Sequence, residues 1–293
     1  MYLNCHSFYS FRYGTLRPEQ LVNWAAEHRI PRLTLTDINS TAGCLEFIRL
    51  SNAKEVQPVV GVDFRNGIDP CFVALAKNNE GFREINAHLS LHLENAVAFP
   101  AEAPESFRNV YVVYPITNAP TRSLREYEYI GVRSSQLIKL QFSPWRNQLS
   151  KVVILQPSTF FQKKDYNAHR LLRAIDQNTL LSKLPDSEQT SHHDRFYSPA
   201  ALEKAFGDFP QLIHNTNRIL SECSIEFIFK DYQKSLNRKT FKLTLVEDRE
   251  LIRHLCEEGL RYRYGENPGA DKLERMENEL EVIEARGFYS YFL

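Results

Sequence analysis

The clearest periodic pattern in the sequence covers residues 33–65, where apolar and polar positions follow first the period of a strand and then that of a helix. Leu33 and Leu35 alternate with threonines, as in a half-buried strand, and the turn-forming Asp37 follows them. An apolar stripe at helical spacing comes next, and a second apolar run begins after Pro58. The pattern predicts a strand–helix–strand unit whose chemistry should gather where the strands end.

Strand and helix signals continue to alternate as far as residue 175. Further apolar runs of strand length predict strands at residues 70–77, 110–116, 129–133 and 151–155. Amphipathic patterns and capping residues predict helices at residues 17–29, 82–92, 165–175 and 210–223, and another after the N-cap Ser198. Alternation of this kind favours a parallel sheet or barrel, so the predicted fold class is α/β.

The segments between and after these elements predict loops and a helical second part. Exposed loops are predicted at residues 94–106 and 186–195, the second as a long loop or lid. Residues 234–242 are polar and basic, and charged helices are predicted beyond them at 246–264 and 271–286. Gly287 is the predicted C-cap of the last helix. We therefore predict one domain at residues 1–238 and a helical segment at residues 239–293.

Composition and charge narrow the functional classes only a little. The chain has 36 basic and 36 acidic residues, so its zero formal charge gives no overall nucleic-acid signature. Five scattered cysteines argue against a disulfide framework and indicate a reducing compartment. The N-terminal stretch lacks the pattern of a secretory signal, and no apolar run approaches the roughly 18 residues that span a bilayer. We expect a cytoplasmic protein without a membrane partner.

Short motifs are spread over the chain, and the first are Asn4-Cys5-His6-Ser7-Phe8-Tyr9-Ser10, Thr36-Asp37 and Gly61-Val62-Asp63-Phe64. With those that follow, they resemble, in order, the PHP (polymerase and histidinol phosphatase) domain at the amino end of bacterial replicative polymerases of the DNA polymerase III alpha family. Others follow at Ala76-Lys77-Asn78-Asn79-Glu80-Gly81-Phe82, Asp165-Tyr166-Asn167-Ala168-His169-Arg170, Phe196-Tyr197-Ser198-Pro199, Asn215-Thr216, Cys256-Glu257-Glu258-Gly259-Leu260, Glu279-Leu280-Glu281-Val282-Ile283 and Gly287-Phe288-Tyr289-Ser290-Tyr291-Phe292-Leu293. Each motif is weak alone, whereas the ordered set is specific.

This resemblance implies a distorted (β/α)7 barrel, followed by a small helical segment that leads into a polymerase palm and thumb. In active members of the family, the strand ends hold several divalent metals for phosphoester hydrolysis. Neutral imidazoles and carboxylates must converge there, because they neutralise the cations and acidify a bound water.

The family's ligand positions are degenerate in this sequence. Asn4 and His6 stand where the family has His-x-His, and Asp37-Ile38 stands where it has Asp-His. Asp63 keeps an acidic residue that is usually Glu, and Pro157-Ser158-Thr159 aligns with the family's Asp-x-His. We therefore expect neither catalytic residues nor a bound metal in this segment.

Each surviving residue also has a simpler interpretation. His6 is expected to be a hydrogen-bonded pocket histidine, Asp37 to cap a turn, and Asp63 to accept backbone N–H bonds at a strand end. His192 and His193 are expected to be solvated and to point apart. Cys5 and Cys44 are interpreted as small buried residues.

Two functional hypotheses follow from the resemblance. The favoured one is a structural and docking segment of a replicative polymerase, with the rest of that chain and a proofreading exonuclease subunit as partners. DNA, deoxynucleotides and Mg²⁺ would then be engaged only by the full-length protein, whose catalytic aspartates should lie beyond Leu293. Four arginines are candidates to face DNA or that missing part: Arg249, Arg253, Arg261 and Arg263. The alternative is a metal-dependent phosphoesterase or proofreading exonuclease with a reduced ligand set of His6, Asp37 and Asp63.

Overall fold

The computed structural model describes residues 1–227, 229 and 238–293. The chain divides into two compact units, Met1–Ile228 and Phe229–Leu293. The sequence-based boundary between residues 238 and 239 stays a prediction. Residues 234–237 of the predicted basic stretch lie outside the described residues.

The first unit is built on a six-stranded sheet and a separate two-stranded pair. The six-stranded sheet has the order β2 (Arg32–Leu35), β3 (Gln57–Asn66), β4 (Asp69–Ala76), β5 (Val110–Pro115), β6 (Glu128–Val132) and β7 (Val152–Ile154). The short strands β1 (Asn4–Cys5) and β8 (Pro157–Ser158) pair in parallel. A hydrogen bond from the Thr36 N–H to the Cys5 carbonyl (2.9 Å) links this pair to the end of β2. The sheet is curled like half of a barrel.

The strand directions correct the expectation of an all-parallel sheet. Strand β4 is antiparallel to both β3 and β5, whereas the β2–β3, β5–β6 and β6–β7 pairs are parallel. The chain reverses between Asn66 and Asp69 through Gly67, whose φ of +61° suits a tight turn. A hairpin therefore replaces the helical crossover that a parallel connection would need. The mixed α/β class is confirmed, but a regular (β/α)7 arrangement is not.

Helices surround the sheet where amphipathic patterns predicted them. Those of the first unit are α1 (Pro18–Glu27), α2 (Cys44–Ala53), α3 (Asn79–Glu94), α4 (Leu137–Gln141), α5 (Lys163–Asp176), α6 (Pro199–Ala205) and α7 (Pro210–Glu222). The Ser198 side chain accepts the Ala201 N–H, which confirms the predicted N-cap, and Asn78 caps α3 through Gly81.

Apolar residues pack on both faces of the sheet. Along β3 and β4, Val60, Val62 and Phe72 belong to one buried cluster, whereas Val59 and Val73 belong to another. Two covered faces explain why these strands read as continuous apolar runs rather than as alternating ones.

Two segments after β7 differ from their predictions. Pro157 and Ser158, for which no strand was predicted, form β8. The predicted exposed loop 186–195 is anchored by Asp194, which is only 2% exposed, accepts the Thr190 hydroxyl (2.6 Å) and pairs with Arg133 (3.1 Å). The buried carboxylate needs these donors, so this segment is held against the sheet rather than free as a lid.

The second unit contains α8 (Leu245–Tyr264), α9 (Ala270–Arg286) and α10 (Tyr289–Phe292). Gly287 has a left-handed backbone (φ 66°) and ends α9, as predicted. Arg253 pairs with Glu277 (2.6 Å) and Arg249 with Glu284 (3.3 Å), so two of the four arginines predicted to face DNA or the missing part of the chain form ion pairs within the unit. Among the described residues, no helix combines the length and hydrophobicity that crossing a membrane requires.

Candidate functional site at the strand ends

Asp63 lies at the centre of a buried polar cluster near the end of β3. Its side chain is 1% exposed, and its Oδ2 accepts hydrogen bonds from Asn4 Nδ2 (3.1 Å), His6 Nε2 (3.1 Å) and Arg65 Nη2 (2.6 Å). Three donors therefore converge on one carboxylate oxygen. The structure brings together Asn4, His6 and Asp63, the predicted ligand positions of the first and third strands.

His6 connects Asp63 to Thr159, the residue that follows β8. Its Nε2 carries a proton, because an ionised carboxylate such as that of Asp63 has no hydrogen to donate and acts only as an acceptor. Its Nδ1 shares a hydrogen bond with the Thr159 hydroxyl (3.0 Å), so both ring nitrogens are engaged. His6 is fully buried and is thus a hydrogen-bonded pocket histidine, as its simpler interpretation proposed. Thr159 belongs to the triplet aligned with the family's Asp-x-His, and it lies in the same cluster.

Arg65 supplies a buried positive charge to this cluster. Its side chain is 5% exposed and its guanidinium carbon lies 5.0 Å from the centroid of the Tyr13 ring. The side chain of Asn39 holds the backbone of Arg65 in place: its Oδ1 accepts the Arg65 N–H (2.9 Å) and its Nδ2 donates to the Arg65 carbonyl (2.8 Å). Burial alone would raise the pKa of Asp63, but the Arg65 charge and the His6 hydrogen bond outweigh burial and lower that pKa.

Asp37 lies in a separate niche after β2, in which its hydrogen-bond donors are neutral. Its Oδ1 accepts the Ser7 N–H (2.6 Å) and the Ser10 hydroxyl (2.7 Å), and its Oδ2 accepts the Ser7 hydroxyl (2.7 Å). Burial raises the pKa of Asp37, and the hydrogen bonds from Ser10 and Ser7 only partly offset that effect. Its neighbour Ile38 provides only a backbone N–H, which donates to Ser10 Oγ (3.0 Å).

Asp37 was expected to cap a turn, and its donors are Ser7 and Ser10, in a loop 27–30 residues earlier. The simpler interpretation of Asp63 needs correction. Asp63 was expected to accept backbone N–H groups, but the donors to its side chain are side chains. Packing between distant segments supplies Asn4 and His6 to Asp63 and the serines to Asp37, whereas Arg65 lies two residues from Asp63 on the same strand.

Sequence analysis missed Arg65, although a signal was present. Residues two apart on a strand project to the same face, so the spacing from Asp63 to Arg65 could have indicated an ion pair. The serines that bind Asp37 gave no comparable signal.

Two buried atoms of the cluster have no hydrogen-bond partner: Asp63 Oδ1 and Arg65 Nε. A narrow cavity of about 20 Å³ lies beside them, lined in part by Asn4, Arg133 and Gln136. A space of this size holds about one water molecule. Within the described part of the chain, no group of three or more His, Cys, Asp or Glu side chains is arranged to hold a metal ion.

The other candidate residues lie outside this cluster. His192 and His193 are exposed, as expected, but their rings do not point apart, because their centroids are 3.8 Å from each other. Cys5 and Cys44 are buried, and burial raises the pKa of both thiols. His169 accepts the Thr190 N–H and is hydrogen-bonded to the Tyr13 carbonyl (2.8 Å), so it is a structural histidine.

Comparison with protein families identifies the part of the chain that contains both carboxylate niches. Residues 3–142 match the family profile of the PHP domain. This part of the chain is similar to a PHP domain. The matched residues include the predicted ligand positions Asn4, His6, Asp37, Ile38 and Asp63, and also Arg65. Thr159 lies beyond the matched range.

Relatives of the whole chain are longer proteins named DNA polymerase III subunit alpha. The chain is 26% identical over 295 residues to the protein of Ureaplasma parvum, covering 99% of this chain and 28% of that protein. It is 22% identical to the protein of Halalkalibacterium halodurans and 23% identical to that of Bacillus subtilis, covering 100% of this chain and 29% of each relative. The matches align with the N-terminal region of these proteins. The chain spans less than a third of the length of these relatives.

Proposed function

We propose that this chain acts as the N-terminal segment of a replicative DNA polymerase, and that its PHP domain has a structural and docking role instead of a hydrolytic one. Similarity to DNA polymerase III alpha subunits over the whole chain supports the first part. The observation that carries the second part is the Arg65 guanidinium, which lies 2.6 Å from Asp63 Oδ2 among the degenerate ligand positions.

The donors at these positions do not fit a cluster of divalent metals. Asp63 Oδ2 is already occupied by three donors, and both oxygens of Asp37 accept from serines. Ile38 offers no side-chain donor, and Asn4 gives an amide where the family has an imidazole. A metal that approached Asp63 would also meet the positive charge of Arg65, which lies close enough for strong repulsion in a buried site.

Arg65 thus stands in for the cation of the family's active members. A buried carboxylate requires a compensating charge or several hydrogen bonds, and Arg65 supplies the charge without metal. The arrangement keeps β1, β3 and the Thr159 segment joined through His6 and Asp63. Under this proposal, Mg²⁺, DNA and deoxynucleotides are engaged by the remainder of a longer polymerase chain in the cytoplasm. Nothing in the described residues favours the phosphoesterase or exonuclease alternative.

Metal content is the direct test of this proposal. The purified chain is stripped with chelator, reloaded with zinc or manganese, and analysed for bound metal, phosphatase activity and magnesium-dependent primer extension. We expect no stoichiometric metal and neither activity. Stoichiometric metal in the wild-type chain, together with phosphatase activity that disappears in Asp63→Asn, would contradict the hydrolytic inactivity.

A restored variant serves as the matched control for the metal assay. Asn4→His combined with Ile38→His and Arg65→Ser returns two imidazoles and removes the guanidinium. We expect this variant to retain more zinc than the wild type. The docking role is tested separately, by size-exclusion chromatography of the wild-type chain with the proofreading exonuclease subunit of the same organism; separate elution of the two proteins would argue against it.

A further inference from the structure

A second polar cavity lies at the opposite end of the strands from Asp63. It has a volume of about 360 Å³, and its lining includes Met1, Arg29, Arg32, Glu203 and Asn217. Arg32 is the first residue of β2, whereas the Asp37 niche follows the last residue of that strand. The five residue steps from Arg32 to Asp37 span about 16 Å of extended chain, so the cavity is distinct from the Asp63 cluster.

The two arginines of this cavity have no counter-ion in the described residues. Neither guanidinium forms a hydrogen bond or ion pair with another described residue, and Arg32 Nε is buried without a partner. Arg32 is partly buried and Arg29 is exposed. A partly buried arginine such as Arg32 without an acceptor is unusual, because desolvation of its charge is normally offset by a carboxylate or by backbone carbonyls. Arg29 has a left-handed backbone (φ 53°), which places an uncommon conformation at the cavity wall.

The remaining groups leave the cavity with a net positive charge. Glu203 is the acidic residue of the lining and is exposed. The Met1 amino group donates to Asn217 Oδ1 (3.3 Å), and burial lowers its pKa to about 5. Two guanidiniums therefore face one carboxylate, in a space large enough for a small ligand.

We propose that this cavity binds a phosphate group, with Arg29 and Arg32 as its charged ligands. Guanidiniums present several N–H donors in a planar fork that matches phosphate oxygens, and the unpartnered Arg32 donors are available for such bonds. The same chemistry suits inorganic phosphate and the phosphate of a mononucleotide. This site does not depend on the proposed polymerase function, because it is argued only from the arginines and the cavity.

Calorimetric titration of the whole chain in phosphate-free buffer tests the proposal. The probes are inorganic phosphate, deoxyadenosine monophosphate and, as the uncharged comparison, deoxyadenosine. We expect one saturable phosphate site per chain and no binding of deoxyadenosine. Tighter binding of the monophosphate than of inorganic phosphate would identify a nucleotide as the source, and equal affinity would identify free phosphate.

Variants of the cavity make the test specific. Arg32→Gln and Arg29→Gln should each weaken phosphate binding about tenfold or more, because each removes charge-assisted hydrogen bonds. Glu203→Gln should tighten binding, since it removes the opposing carboxylate. Arg49→Gln, at an exposed position of α2 outside the cavity lining, is the matched control and should bind as the wild type does. Thermal unfolding without phosphate checks that each variant is folded.

Two results would overturn the proposal. One is the absence of saturable phosphate binding by the folded wild-type chain. The other is binding that Arg32→Gln, Arg29→Gln and Arg49→Gln weaken equally, because that pattern would indicate a nonspecific effect of surface charge.

Discussion

Asp37 and Asp63 are both almost fully buried after neighbouring strands, yet they are stabilised in opposite ways. Asp63 accepts from a guanidinium, an imidazole and an amide, and its pKa is lowered. Asp37 accepts from two serines, and its pKa is raised. The two niches contact through the backbone, where the Asp63 N–H donates to the Asp37 carbonyl (3.2 Å). Their difference therefore reflects side-chain partners and not the degree of burial.

The comparison shows how charged and neutral hydrogen-bond donors differ in their effect on a buried carboxylate. A formal positive charge near a buried carboxylate favours ionisation, whereas neutral donors offset only part of the desolvation. The Asp63 niche has such a charge in Arg65, and the Asp37 niche has neutral donors in Ser7 and Ser10. We therefore expect the stability of the first unit to depend more on the Asp63 niche than on the Asp37 niche.

Removal of Arg65 should have the largest effect on stability. Arg65→Met leaves Asp63 as a buried charge without its cation, so the free energy of unfolding should fall by about 3–5 kcal/mol. Urea unfolding followed by tryptophan fluorescence measures this loss. Both tryptophans, Trp24 and Trp145, lie in the first unit, so the signal reports on the unit that contains the cluster.

Two further variants separate the ion pair from general effects of the substitution. Arg83→Met removes an exposed partner of Glu80 and should not change the urea midpoint measurably. The double variant Asp63→Asn with Arg65→Met should recover part of the lost stability, because no unpaired charge stays buried. An Arg65→Met variant as stable as Arg83→Met would show that Arg65 does not compensate Asp63.

Replacement of Asp37 should have a smaller effect that depends on pH. Asp37→Asn places an amide nitrogen opposite the serine donors, so the free energy of unfolding should fall by about 1–3 kcal/mol at neutral pH. Because the pKa of Asp37 is raised, this group holds more protons in the folded state than in the unfolded state above about pH 3.9. Its contribution to stability therefore falls as the pH rises from there to the folded-state pKa. Asp37→Asn should remove this fall in the urea midpoint.

Asp63 should contribute the opposite pH dependence at lower pH. Its lowered pKa means that the unfolded state holds more protons below about pH 3.9, so stability from this group is lost as pH falls toward its folded pKa. Urea midpoints between pH 3 and pH 7 for Asp37→Asn and Asp63→Asn separate the two contributions. Asp208→Asn, at an exposed position, is the control. A parallel pH profile for all three variants would contradict the opposite shifts.

Loss of the Thr159 hydroxyl should reduce stability less than the variants at Arg65 and Asp37 do. Thr159→Val keeps the shape of the side chain but leaves His6 Nδ1 without a partner, at a cost of about 0.5–1.5 kcal/mol. The same urea unfolding measures this loss. Thr41→Val, which removes a partly exposed bond to Asn86, is the comparison and should cost less. A larger loss from the Thr41 variant would place Thr159 outside the stabilising network.

Much of the secondary structure could be predicted from the sequence, because strand and helix periods and caps are local. The capping roles of Ser198 and Gly287 follow from their own backbone positions and side chains. The prediction that the ligand positions are degenerate also rests on the sequence alone, since Asn4 and Ile38 differ from the family's pattern, and it stays a prediction.

What the sequence alone determined is thus the position of the elements, the mixed α/β class and the resemblance to the PHP domain. Tertiary structure decided the antiparallel placement of β4, the burial of Asp194, and the choice of His6 and Ser10 as partners of the two carboxylates. The reason is physical: a side chain's local pattern indicates its burial, but its hydrogen-bond partner depends on which distant segment packs against it. Asp37 and Asp63 illustrate this, because similar burial after neighbouring strands led to pKa shifts of opposite sign.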